Sequence, residues 1–172
     1  EAGAVVVGGG GDGLGAAMYH GLKVSLRYQP DIILAVDGDG QADADEIARF
    51  LAPIEEDEAD LVVGSRFLGE AKVGYDYPWL NRLGVRILSG ILRRQTGLPL
   101  TDSHGGLRAM RPEVVADLEI LGTHTYVQET IIDAVEKGHR VVEIPSDWHQ
   151  RGSGKSRVVR SIPKYVFYTL PI

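Results

Sequence analysis

The sequence predicts an α/β fold in which a mostly parallel, Rossmann-like sheet is flanked by helices. Two observations carry this prediction. Short apolar runs, too short for helices, alternate with longer segments whose apolar residues recur at helical spacing. That alternation is typical of a parallel sheet with right-handed crossovers. The length of 172 residues fits a single domain with a sizeable core.

The first sixty residues show the alternation most clearly. Ala4-Val-Val-Val7 predicts a buried strand that ends in a glycine run. A helix over 13–28, a strand over 31–36, a helix over 43–56 and a strand over 60–63 follow.

The remainder of the chain is less regular, and a Gly/Tyr/Pro loop follows Gly64. The spacing of apolar residues predicts helices over 78–96 and 126–137, and strands over 107–110 and 141–144.

Composition narrows the class of protein. Glycine accounts for 22 of the 172 residues, which favours tight turns and close backbone approach to a ligand. Cysteine is absent, so any metal must be held by oxygen or imidazole ligands. The first sixty residues hold thirteen acidic and three basic residues, whereas the rest is net basic. This asymmetry indicates a cation site early and anion contacts later, or in part simply a solvated acidic helix over 55–60. A pI of about 5.3, with no basic face interleaved with aromatics, disfavours nucleic-acid binding.

An acidic triplet follows the second predicted strand. In extended backbone, Asp37, Asp39 and Gln41 would point to one side, and the glycines between them allow close approach. Two carboxylates and an amide oxygen suit a hard cation such as Mg²⁺ or Mn²⁺. Ligands of open α/β sheets bind beyond the carboxyl ends of strands, which favours a metal site over a plain surface turn.

Five motifs follow one another along the chain: Asp37-Gly-Asp-Gly-Gln41, Gly64-Ser-Arg66, Thr101-Asp-Ser-His-Gly-Gly-Leu-Arg108, Gln128-Glu129 and Arg151-Gly-Ser-Gly-Lys-Ser156. In this order they resemble glycosyltransferase family 2, most closely its polyprenyl- and dolichyl-phosphate sugar synthases. The resemblance implies the GT-A fold for one catalytic domain over residues 1–172. Family members normally begin with a strand that ends in an Asp-Asp-Gly-Ser-like turn. No such segment precedes Glu1, so we expect a domain that lacks its first strand.

The resemblance also implies an activity. It is the transfer of a sugar, with inversion, from a nucleoside diphosphate sugar of the GDP-mannose or UDP-glucose class to a polyprenyl or dolichyl phosphate. By resemblance, Asp37, Asp39 and Gln41 take the metal and diphosphate role, with Mg²⁺ or Mn²⁺ as cofactor. The Gly64-Ser65-Arg66 segment would line the cleft between donor and acceptor.

Two later motifs complete the implied site. Asp102 and Arg108 match the Asp-x-x-x-Gly-Phe-Arg element of the family, although Leu107 replaces its phenylalanine. Arg151 and Lys155 match its late basic loop, and we expect them to bind substrate.

A phosphate acceptor sets the demands on the catalytic residues. A phosphate monoester is mostly dianionic at neutral pH, so it needs positioning more than deprotonation. Arg66, Arg108 and Arg151 are therefore candidates for gripping the acceptor or neutralising the donor. Glu129 lies where the superfamily places a general base, and here we expect it to orient substrate. Asp102 would bind the sugar or brace Arg108. With Asp39, the residues Asp102, Arg108 and Glu129 are the predicted catalytic set.

A basic amphipathic segment over 77–100 bears on whether the protein contacts a membrane surface. It contains four arginines and no acidic residue, and its apolar face is separate from its arginines. Such a helix either lies on an anionic membrane surface or packs on the sheet as an ordinary surface helix. The segment 158–172 also has interfacial character. We therefore expect the protein at the cytoplasmic face of a membrane, peripheral or tethered by segments outside this chain.

Two alternatives remain at the level of sequence. Residues 8–13 fit Gly-x-Gly-x-x-Gly, which indicates an NAD- or flavin-dependent oxidoreductase with Asp37 on the ribose. That interpretation leaves Asp39, Gln41 and the loop at Arg151 unexplained. The other alternative is a truncated domain that binds a nucleotide sugar without turnover.

Overall fold

The computed structural model describes residues 3–8, 13–75, 77–120 and 126–150. Its helices are α1 (Leu14–Ser25), α2 (Ile47–Glu55), α3 (Trp79–Thr96), α4 (Pro112–Asp117) and α5 (Tyr126–Glu136). Its strands are β1 (Ile33–Ala35), β2 (Leu61–Ser65), β3 (Arg108–Met110) and β4 (Val141–Pro145). Short 3-10 turns follow α1 and precede α2. Residues 9–12 of the glycine-rich motif and the predicted interfacial segment 158–172 lie outside the described residues.

The four strands form one sheet in the order β1-β3-β2-β4. As predicted, β1, β2 and β4 run in the same direction, with α2 connecting β1 to β2. The pairing of adjacent strands differs from that of a mostly parallel sheet, because β3 lies antiparallel between β1 and β2. Only the β2–β4 pair is parallel. Strand and helix alternation predicts direction across a crossover, but it does not predict which later strand inserts between the two.

Each face of the sheet is covered by helices. Alternation along β2 sends Leu61 and Val63 to one face and Val62 to the other. The first face packs against α1, α3, α4 and α5, and the second packs against Phe50 and Ile54 of α2. The α/β prediction is therefore confirmed. The helices cover the two faces of the sheet, which leaves its edge to present a site.

The predicted strand at 4–7 is wrong. Residues 3–8 form no strand, and Val5 and Val6 are 62% and 94% exposed. A β-branched run becomes a strand only when another strand satisfies its backbone groups, and within the described residues β1 pairs with β3 alone.

The helix prediction missed α4, whose six residues are too few to show a helical period. Within the described ranges, no helix has the length and apolar character needed to cross a bilayer.

Candidate active site

One edge of the sheet collects most of the candidate residues. Because β1 and β2 run in the same direction, Asp37 and Arg66 follow their carboxyl ends at that edge. The opposite direction of β3 brings the segment 102–107, which precedes it, to the same edge. The segment 146–150, which follows β4, also lies there. This is the edge at which open α/β sheets bind ligands.

The acidic triplet lies in a turn, which corrects the expectation of extended backbone. Residues 38–39 form the turn, and Gly40 has a φ of 73°, in the left-handed region. The carboxylate of Asp39 accepts a hydrogen bond from the backbone N–H of Gln41 at 3.1 Å. Such an Asx-type contact favours a turn over extended backbone. The turn keeps Asp37, Asp39 and Gln41 within one short loop.

A pair of glycines lets the chain before β3 approach this turn. A Cβ at Gly106 would lie 2.3 Å from Oδ2 of Asp37, and a Cβ at Gly105 would lie 1.7 Å from the carbonyl oxygen of Gly64. At Gly105 the conflict is with backbone, so only glycine fits there, whereas a side chain at Gly106 would force the Asp37 carboxylate to move. No role was predicted for this pair, although two adjacent glycines just before a predicted strand are a signal for close backbone approach.

Arg108 is fully buried behind these glycines, with 1% of its surface exposed. Its guanidinium donates to the carbonyl of Gly105 at 3.1 and 3.2 Å, and to the carbonyl of Val127 at 3.0 Å. Burial lowers the pKa of Arg108, while Tyr126 and the carboxylate of Asp37 act in the opposite direction. Arg108 therefore braces the glycine loop against α5 and places a positive charge behind Asp37.

Asp102 pairs with Arg66, and not with Arg108 as one expectation had it. Nε and Nη2 of Arg66 donate to the two carboxylate oxygens at 2.7 and 2.9 Å, and the backbone N–H of Arg66 donates at 3.1 Å. Burial alone would raise the pKa of Asp102, but the hydrogen bonds and charge of Arg66 outweigh it and hold that pKa below its ordinary value. Asp102 thus fixes Arg66 in place.

A second carboxylate, half-buried on β4, supports this pair. Glu143 accepts hydrogen bonds from the backbone N–H of Thr101 at 2.8 and 2.9 Å and from that of Asp102 at 2.9 Å. It also accepts one from the hydroxyl of Thr101, which contacts the hydroxyl of Ser65 at 2.7 Å. Glu143 and Ser65 therefore hold the turn that carries Asp102. Sequence reasoning named Ser65 but missed Glu143, whose position in an apolar strand was the available signal.

Arg66 also lines a cavity of about 610 Å³ between α3 and the loop after β2. Its lining residues are Arg66, Phe67, Gly69, Ala71, Arg82, Arg86, Arg93 and Thr101. Four of these eight are arginines and none is acidic. Among the described residues, no carboxylate makes an ion pair with the three α3 arginines that line the cavity, whereas Arg66 is paired with Asp102. The cavity, which we call the arginine cavity, is therefore strongly positive.

The loop after β4 closes the site from the other side. The backbone N–H of His149 donates to the carbonyl of Gln41 at 2.8 Å, and the amide nitrogen of Gln41 donates to the carbonyl of His149 at 3.2 Å. Trp148 is buried against Gly106, and its ring lies 5.2 Å from the guanidinium carbon of Arg66. No role in the site was predicted for Trp148 or His149.

The contacts above do not test the roles predicted for three further residues. Glu129 lies in the first turn of α5, partly buried. Arg151 and Lys155 lie outside the described residues. Their roles stay predictions.

The acidic turn is the place where a divalent ion would fit. In the described ranges, no three His, Asp or Glu side chains are arranged to hold a metal. The turn offers instead two carboxylates and one amide, a set of hard oxygen donors. Mg²⁺ and Mn²⁺ accept such a set, because they commonly retain coordination positions for water and substrate phosphates. The residues present fit the ion.

Comparison with known proteins identifies a family and several relatives that this chain resembles. Residues 4–119 match the family described as "Glycosyl transferase family 2". The undecaprenyl-phosphate mannosyltransferase of Micrococcus luteus is 31% identical over 152 residues, 86% of this chain and 61% of the relative. The UDP-N-acetylglucosamine–dolichyl-phosphate N-acetylglucosaminyltransferase of Methanococcus voltae is 34% identical over 136 residues, 77% of this chain and 54% of the relative. The chain therefore spans little more than half the length of these two proteins.

Solved structures agree on the fold. Glucosyl-3-phosphoglycerate synthase from Mycobacterium tuberculosis, in complex with phosphoglyceric acid, superimposes with a TM-score of 0.65 at 16% identity. The match covers 98% of this chain and 56% of that one. Another complex of that enzyme contains Mn²⁺, UDP and phosphoglyceric acid, and its TM-score is 0.64. The fold is the GT-A fold expected from the sequence.

Proposed function

Because the chain belongs to glycosyl transferase family 2, we propose that it transfers a hexose from a nucleoside diphosphate sugar to a polyprenyl phosphate. The names of two relatives support a lipid phosphate as the acceptor. The oxidoreductase interpretation of the glycine run is disfavoured by membership of this family.

The arginine cavity is the observation that carries the proposal. Its three α3 arginines are exposed to solvent within a positive concavity, and Arg66 enters it already fixed by Asp102. Guanidinium groups form paired, charge-assisted hydrogen bonds with phosphate oxygens. A dianionic phosphate monoester is a ligand that this cavity fits. Arg82 is further oriented by the ring of Phe67, 5.4 Å from its guanidinium carbon.

The acidic turn would take the other substrate. Asp37, Asp39 and Gln41 would hold Mg²⁺ or Mn²⁺ there, and the bound ion would neutralise charge on the departing diphosphate. A related fold that binds Mn²⁺ with UDP supports a donor of the UDP-glucose class, and mannosyltransferase relatives support the GDP-mannose class. Arg108 helps by holding the glycine loop against which Asp37 rests.

With the acceptor phosphate at the arginine cavity and the sugar donor at the acidic turn, the reaction is a single nucleophilic displacement. An oxygen of the acceptor phosphate attacks the anomeric carbon on the side opposite the diphosphate. The new C–O bond forms as the bond to the diphosphate breaks, so the configuration inverts and the nucleoside diphosphate leaves. No proton has to be removed from the dianion. Glu129 therefore orients the sugar in this proposal, while Asp102 acts through Arg66.

The remaining predicted residues and the location extend this proposal. We assign Arg151 and Lys155 to the substrate phosphates, because both are cations that directly follow the loop closing the site. A lipid acceptor places the reaction at a membrane surface, and soluble nucleotide sugars place it at the cytoplasmic face, with the protein peripheral or tethered by other segments.

Arg86→Gln tests the acceptor end. We expect the KM for a short, water-soluble polyprenyl phosphate to rise about ten-fold or more, because a charge-assisted contact to phosphate is lost. The KM for the nucleotide sugar should stay the same. Radiolabelled sugar transfer with Mn²⁺, measured against a panel of GDP- and UDP-sugars, gives both constants and identifies the donor.

Arg94→Gln is the matched control, because Arg94 is an exposed arginine of the same helix that does not line the cavity. Asp39→Asn should abolish transfer and the Mn²⁺-dependent heat of donor binding in calorimetry. Equal effects of the two arginine variants would overturn the acceptor assignment. Absence of transfer from every donor would overturn the transferase proposal.

A further inference from the structure

Three surfaces run along α3. The buried surface, formed by Val85, Ser89 and Leu92, packs on the domain. Beside it, one row of arginines lines the arginine cavity: Arg82, Arg86 and Arg93. At 100° per residue the next surface is apolar and exposed, and we call it the apolar stripe: Trp79, Leu80, Leu83, Ile87 and Ile91.

The apolar stripe is unusual for a helix packed on a domain. Trp79 is 71% exposed and Ile87 is 57% exposed, whereas a surface helix normally turns polar residues outward. The helix contains no acidic residue, and its fourth arginine, Arg94, follows Ile91 at the C-terminal end of the stripe. A contiguous exposed apolar face bordered by cations marks an interaction site for an apolar, anionic partner.

We propose that α3 docks the domain on an anionic lipid bilayer, with the apolar stripe in the headgroup region and the arginine row at the phosphate level. Trp at the start of such a helix is favoured at a membrane interface, and each arginine gains from the negative surface potential. The partner is a bilayer because it offers both an apolar layer and a plane of phosphates.

The charge of the segment 151–172 argues against that segment as the partner that covers the apolar stripe. The segment 151–172 contains five basic residues and no acidic one, so its cations would face the arginines of α3 without compensation. An anionic surface, in contrast, satisfies both cationic segments.

Docking by α3 also explains where the arginine cavity lies. The row that lines the cavity is adjacent to the apolar stripe, so the cavity opens beside the surface that meets the lipid. A phosphate carried by a membrane lipid could then reach the arginines without leaving the bilayer plane. This link rests on the proposed function, whereas docking itself requires no turnover.

Vesicle binding tests the docking. The whole chain is sedimented with phosphatidylcholine vesicles, with or without phosphatidylglycerol, in the absence of nucleotide sugar. We expect binding to the vesicles with phosphatidylglycerol, and weaker binding at high salt. Leu83→Ser should weaken the partition coefficient roughly five-fold, because an inserted leucine is lost.

Leu14→Ser is the matched control, because Leu14 of α1 and Leu83 are both 47% exposed. Equal losses in the two variants, binding that ignores phosphatidylglycerol, or burial of the apolar stripe in a stable dimer would overturn the proposal. The two proposals fail separately. Transfer to a water-soluble acceptor without vesicle binding removes only the docking, and vesicle binding without transfer removes only the enzymatic proposal.

Discussion

At Gly106 the lack of a side chain determines how closely the loop before β3 approaches the acidic turn. An added Cβ would lie 2.3 Å from Oδ2 of Asp37 and 3.3 Å from the ring of Trp148. We expect Gly106→Ala to displace the Asp37 carboxylate and to lower the free energy of unfolding by about 1–3 kcal/mol, as overpacking does. Urea denaturation measures the stability, and calorimetry with Mn²⁺ and nucleotide sugar measures the accompanying loss of donor affinity.

Gly21→Ala serves as the control for this substitution. Gly21 lies within α1, and a Cβ there meets nothing within 4 Å. Alanine should therefore stabilise the helix by about 0.5–1 kcal/mol. Unchanged stability and donor binding in Gly106→Ala would show that Asp37 does not depend on this close approach.

Single residues also show where sequence reasoning reached its limit. Motif matches identified Arg66 and Asp102 as site residues, but they are 36 positions apart, so no local spacing could predict that they form one buried ion pair. The arginines of α3 were recognised as a basic face. Their convergence with Arg66 on one cavity depends on how α3 packs beside β2, which helical periodicity does not encode.

At the scale of elements, β4 is linked to the turn before β3 through one carboxylate. Glu143 accepts the backbone N–H groups of Thr101 and Asp102, and burial raises the pKa of this carboxyl group. In Glu143→Gln an amide NH₂ would face backbone donors, so the turn that carries Asp102 should loosen. We expect a loss of about 1–3 kcal/mol in unfolding free energy and a higher KM for the acceptor phosphate with little change in the KM for the donor.

The matched control is Glu136→Gln, which alters an exposed glutamate near the end of α5. If both glutamine variants have the same stability and the same acceptor KM, then Glu143 does not position the Asp102–Arg66 pair. A stability loss without a change in KM would assign Glu143 a purely structural role.

Elements were predicted well where a period was long enough to be detected. The positions of α1, α3 and α5 follow from apolar spacing over three or more turns. The prediction of a strand at 4–7 was wrong because an apolar run shows only a local preference for extended backbone. It does not show whether another strand is available to pair with it. The extended acidic triplet failed for a related reason, since a local side-chain to backbone bond from Asp39 competes with extended structure.

At the scale of the whole molecule, the charge asymmetry of the sequence becomes a spatial one. The acidic turn comes from the first sixty residues and the arginine cavity from the later ones, yet both follow strands that end at one edge of the sheet. Alternating strands and helices were enough to predict this common edge. The insertion of β3 between β1 and β2 was not predictable, because it depends on long-range pairing.

The side chain of His104 predicts how the stability of the whole domain depends on pH. Burial lowers the pKa of His104 to about 4 from an ordinary value of 6.5, and its ring contacts the hydroxyl of Ser103 at 2.7 Å. As pH falls below about 6.5, the unfolded chain binds a proton at this position while the folded domain does not, so unfolding becomes easier. His104→Gln removes this contribution. Between pH 6.5 and 4 the native protein should therefore lose about 1–3 kcal/mol more unfolding free energy than the variant.

Urea denaturation followed by circular dichroism at several pH values measures both profiles. His20→Gln, at an exposed position of α1, is the control variant. Parallel profiles for the native protein and His104→Gln would mean that this histidine takes up its proton as readily in the folded domain as in the unfolded chain.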